Sequence, residues 1–110
     1  MKPPPIAAAL LGLAAAPALA ETAEQTAVAA CRSTGLIALQ QQSKDIGDLV
    51  LDQESLAVSA ADTRVENVPV KMVVLGEAYI KRGAETGKPD RFVCLLGDKG
   101  RVLLTFFTSK

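Results

Sequence analysis

The 110-residue chain contains no histidine and no tryptophan, and its aromatic complement is one tyrosine and three phenylalanines. The missing histidine removes the commonest general base, the Ser-His-Asp and Cys-His nucleophile systems and the usual zinc ligand. Hydrolysis by those routes is not expected, and no residue is assigned a catalytic, cofactor-binding or metal-binding role. Charge of one sign is also lacking, since 12 basic residues face 12 acidic ones. With so few aromatics, this leaves nucleic acid neither an electrostatic footprint nor a stacking platform. The longest apolar run, Ile6 to Ala16, falls short of the about 20 residues that a membrane span requires. Cysteine is limited to Cys31 and Cys94, with no C-x-x-C spacing to mark a redox site.

That short apolar run has a meaning of its own. Met1 and Lys2 precede it, and Ala18-Leu19-Ala20 then meets Glu21, the charged start, apolar middle and small-x-small end of a secretory signal peptide. Cleavage after Ala20 leaves one small domain, 21–110, outside the cytoplasm in the periplasm or medium, with no stable transmembrane segment. It also removes one basic residue, Lys2, and no acidic one, for a net charge of −1. A domain of this size has marginal stability unless something cross-links it. In an oxidising compartment Cys31 and Cys94 supply that link as a disulfide. Val28-Ala29-Ala30-Cys31 has the letters of a lipoprotein box, but Glu21, Glu24 and Gln25 interrupt the apolar stretch such a site needs. Cys31 is therefore read as a structural half-cystine.

Along the domain, residues 21–42 are proline-free and rich in Ala and Gln, with Val28, Cys31, Gly35, Ala38 and Gln42 at spacings of three and four. They predict one amphipathic helix, with a break at Ser33-Thr34-Gly35 as the alternative. Gly35 costs such a helix about 1 kcal/mol relative to Ala, which a close approach near Cys31 would explain. From Asp48 the pattern changes to period two. Short strands at Leu49–Leu51 and Leu56–Val58 flank the turn Asp52–Ser55, and a second turn is expected at Ala60–Thr63. Val70, Met72, Val74, Gly76, Ala78 and Ile80 then alternate with a second set of residues as the strongest strand. Gly76 inside it suggests a bulge or a close neighbour.

The last two strands permit a register. Asp98-Lys99-Gly100 suits a three-residue hairpin turn with Gly100 left-handed, pairing Gly97 with Arg101. Counting outward, Leu96 would face Val102, Cys94 would face Leu104 and Phe92 would face Phe106. Cys94 then lies on an apolar face that the helix must cover if Cys31 is to reach it. On the other face, Leu75, Leu95, Leu103 and Phe107 would point away from the helix, where an open sheet is normally polar. Either the sheet curls to enclose them or they meet another molecule. Asp45, Asp48, Asp52 and Glu54 are dense in sequence but lack both a glycosidase spacing and a calcium-loop pattern, so they read as a solvated acidic edge.

The expected fold is thus α+β, with one N-terminal helix packed on a four- to five-stranded antiparallel meander or roll and tied to it by the disulfide. In compartment, size and the Phe92-Val93-Cys94 strand, the chain loosely resembles the small periplasmic lysozyme inhibitors. That resemblance covers one short segment, and the family's Ser/Gly-rich inhibitory loop has no counterpart, so no functional residue is carried over. The functional expectation is a non-enzymatic binding or interaction module. Its periplasmic protein partner, or a second copy, would meet Leu75, Leu95, Leu103 and Phe107. The alternatives are a small apolar-ligand carrier and an inhibitor of an envelope-directed enzyme such as lysozyme.

Overall fold

The computed structural model describes residues 22–109, so the expected signal peptide and Glu21 lie outside the described residues. Helix α1 spans Ala23–Gln42 and begins with a capping box. Thr22 Oγ1 accepts the Gln25 N–H at 3.0 Å, and Gln25 Oε1 accepts the Thr22 N–H at 3.0 Å, so two of the helix's orphan donors satisfy each other's residues. It ends where Ser43 turns extended and donates its N–H to the Leu39 carbonyl. No break occurs at Ser33–Gly35. Instead, a Cβ on Gly35 would lie 3.3 Å from both Leu49 Cδ2 and Phe107 Cζ. The helix rests so close to the sheet there that even a methyl group would require these side chains to give by a few tenths of an ångström. Its buried stripe is Ala27, Cys31, Gly35 and Leu39, with Val28 and Ala38 on the margins.

Six antiparallel strands form one sheet: β1 (Ile46–Leu51), β2 (Ala57–Val65), β3 (Val68–Arg82), β4 (Glu85–Thr86), β5 (Asp90–Leu96) and β6 (Val102–Thr108). This exceeds the expected four or five because the connection between β3 and β5 contains the two-residue β4. In addition, Ala60–Thr63 is a bulge that lets β2 run for nine residues rather than a turn that ends it. The long strand β3 organises the rest. Along one edge, β1 pairs with its second half and β2 with its first half, while β5 pairs with residues 72–78 on the other edge. Between β1 and β2 the chain makes a 3₁₀ turn, Gln53–Ser55, so on that edge of β3 Glu77 faces the turn rather than a strand, while β5 places Arg91 opposite it on the other edge. The Glu77 backbone is satisfied by the turn: the N–H donates to Ser55 Oγ at 2.8 Å, and the carbonyl accepts the Asp52 N–H at 2.8 Å. Beside it, a Cβ on Gly76 would sit 2.6 Å from Leu56 Cδ2 and 3.3 Å from Leu56 Cα, so the expected close neighbour is Leu56.

The core lies between α1 and the sheet, with Leu49, Val74, Phe92, Cys94 and Leu96 each at most 1% exposed. Cys31 and Cys94 form the expected disulfide, with Cα atoms 6.0 Å apart and both residues fully buried. The β5–β6 register departs from the expected one after a single step. Gly97 N–H donates to the Arg101 carbonyl and Leu96 does oppose Val102, but the pairing then shifts by one residue at a bulge. Cys94 consequently opposes Thr105, and Phe92 opposes Phe107. In the turn itself Lys99 joins Gly100 at positive φ.

Candidate functional site

The bulge decides what faces outward. Beyond it, successive side chains of β6 alternate from the new register, so Thr105 and Phe107 turn toward the helix while Leu104 and Phe106 turn away. Two apolar rows therefore cross three strands on the outer face: Val73–Leu95–Leu104 and Leu75–Val93–Phe106. Leu75, Leu104 and Phe106 are 45%, 47% and 42% exposed. A polar row, Glu77–Arg91–Thr108, bounds the patch on one side. At the other end, Leu95, Leu103 and Leu104 join Val65, Val68 and Val70 in lining a groove of about 380 Å³ with Arg101 at its margin.

Of the residues expected on this face, Leu75, Leu95 and Leu103 are present and Phe107 is not. Phe107 stacks on Phe92 with ring centroids 5.0 Å apart and packs against the core. The correction follows from the unrecognised bulge, which moves Phe107 one position and hence to the opposite face. Leu104 and Phe106 take its place outside. Sequence reasoning missed both because Leu103-Leu104 and Phe106-Phe107 are each apolar pairs. Swapping the members of a pair leaves the binary pattern unchanged.

Of the four acidic residues that raised the question of chemistry, Asp45, Asp48 and Asp52 have local structural partners. Asp48 accepts the Leu49 N–H at 2.8 Å and the Arg32 guanidinium at 2.6 Å, while Arg32 Nε donates to the Leu49 carbonyl at 2.8 Å. The Leu49 N–H, then Arg32 and Lys81, hold the Asp48 carboxyl below the usual carboxylate range against an opposing desolvation effect. Asp45 accepts from the Ser43 hydroxyl, and Asp52 caps the 3₁₀ turn by accepting the Glu54 N–H at 3.2 Å. Among the described residues, no three His, Cys, Asp or Glu side chains gather to hold a metal ion.

A single helix on an antiparallel sheet, tied by a buried disulfide and open on an apolar outer face, defines a small α+β domain. Compared with protein-family models, curated proteins and solved structures, the chain matches none of them. Among the described residues, no helix is long and apolar enough to cross a membrane.

Proposed function

We propose that this chain is a small periplasmic or secreted, non-enzymatic binding module that docks a protein partner on its outer sheet face. The observation that carries this reading is the pair of apolar rows with Leu75, Leu104 and Phe106 open to solvent. An antiparallel sheet with one face on the core ordinarily presents polar residues on the other, and a contiguous exposed apolar patch with a polar rim marks an interaction site. The rows also favour a macromolecule over a small ligand, since carrier pockets bury about 70–90% of what they hold. The signal-peptide pattern and the disulfide support an oxidising compartment.

The test is capture from envelope extract with the oxidised protein, using the Leu75→Lys/Leu95→Lys double variant as control. A protein retained by the parent and released by the variant, with the variant's fold intact by circular dichroism, is the expected result. Equal retention by both would remove the face from consideration.

A further inference from the structure

The two edges of the sheet are not alike. On one, strand β1 has its backbone carbonyls taken by helix side chains: Arg32 Nε donates to Leu49 O at 2.8 Å and Gln40 Nε2 to Ile46 O at 3.2 Å. Further along that edge, β2 is bulged between Ala60 and Thr63 and carries Asp62 and Arg64. Bulges, charges and covering side chains are the devices by which sheets avoid pairing with other chains. Strand β6 forms the other edge. It pairs with β5 and, among the described residues, has no strand on its far side. Its seven residues, Val-Leu-Leu-Thr-Phe-Phe-Thr, include no charge and no proline, and past the bulge Leu104–Thr108 runs in unbroken register.

We infer that β6 pairs with β6 of a second copy of this chain, antiparallel about a twofold axis near Phe106. A row of unpaired backbone donors and acceptors selects an extended strand as its occupant. The composition selects the same chain, because a neutral strand opposes itself without like-charge repulsion. A twofold axis makes the surface self-complementary. With the axis at Phe106, Thr105 opposes Phe107 of the second copy and Leu104 opposes Thr108. Phe106 meets its own copy on the outer face. The apolar row Leu75–Val93–Phe106 then continues without interruption into the second protomer, so edge pairing covers Phe106 and leaves Leu75 open.

Sedimentation velocity of the full chain, oxidised and over a concentration series, tests this. A dimer is expected. Phe106→Lys places two like charges at the axis and is expected to weaken association by at least about tenfold. Leu104→Lys, equally exposed, is a second edge variant should the first misfold. Leu75→Lys, two strands inward, is expected to leave the dimer intact even if it abolishes partner capture, which separates this inference from the proposed function. A parent that stays monomeric, a dimer that survives both edge variants, or one that Leu75→Lys dissociates would each overturn the proposal.

Discussion

Asp48 shows how a residue that resembles catalytic equipment in sequence can be spent on architecture. Its carboxylate joins the start of β1 to the middle of α1 through Arg32 while also accepting its own neighbour's N–H. Because its folded pKa is depressed, its stabilising effect is fully present above the unfolded value near pH 4. That effect is lost as pH falls through the lower folded value. Urea midpoints measured across that acid window should therefore decline for the parent and decline less steeply for Asp48→Asn, with the two curves differing little in slope at neutral pH. Ser55 has a similar structural task without a charge. Its hydroxyl accepts the Glu77 N–H and donates to the Asp52 carbonyl at 2.7 Å. Ser55→Ala removes the acceptor from a part-buried amide and should cost about 1–3 kcal/mol in chemical denaturation. A cost below a few tenths would mean that water substitutes freely for the hydroxyl.

At the scale of elements, the bulge in β6 is the feature on which the outer face depends, and it makes an unusual prediction. Deleting one residue from a strand normally reverses every side chain beyond it. Deleting Leu103 should not, because it removes the surplus residue and lets Val102 and Leu104 follow in regular alternation opposite Leu96 and Leu95. The deletion variant should keep Phe107 on Phe92, detectable as ring-to-ring nuclear Overhauser contacts, and lose on the order of 1–2 kcal/mol from the missing leucine's partial burial. Loss of the Phe92–Phe107 contacts would show that the bulge's added twist is itself required. This bulge also marks where the sequence stops being readable. Helix α1 was legible from its spacing and composition, the disulfide from two cysteines following a signal-peptide pattern, and the hairpin turn from Asp98-Lys99-Gly100. The register beyond Leu96 was not, since either member of Leu103-Leu104 fits a buried or an exposed position. Ala60-Ala61-Asp62-Thr63 misled for a related reason: its small and polar residues suit a turn as well as an edge-strand bulge. Three of the four expected face residues survived because Leu75 and Leu95 lie on β3 and β5, whose mutual register is unbroken, and Leu103 lies at the bulge itself.

For the whole molecule, the packed core and the proposed binding face lie on opposite sides of one sheet. The helix side carries the packed core and the disulfide, so outer-face substitutions such as Leu75→Lys should leave stability nearly unchanged, while core changes should not. Gly35→Val makes the contrast sharp. The side chain would enter space within 3.3 Å of Leu49 and Phe107, and overpacking of this kind should cost about 1–3 kcal/mol. The cross-link sets the scale against which such losses matter. Cys31 and Cys94 are 63 residues apart, and closing a loop of that length restricts the unfolded chain by an amount worth about 4 kcal/mol in the loop-entropy model. Domains of this size have total stabilities of roughly 5–15 kcal/mol, so the bridge supplies a sizeable share. Both cysteines are fully buried, and a reductant reaches the sulfurs only when helix and sheet separate. Two measurements should then agree. The urea midpoint should fall on reduction by an amount corresponding to about 2–4 kcal/mol, and the reduction rate of the native protein should rise with urea in step with unfolding. Rapid reduction in the absence of denaturant would instead place the bridge in a region that opens locally, and the helix would then be held by Arg32, Gln40 and packing alone.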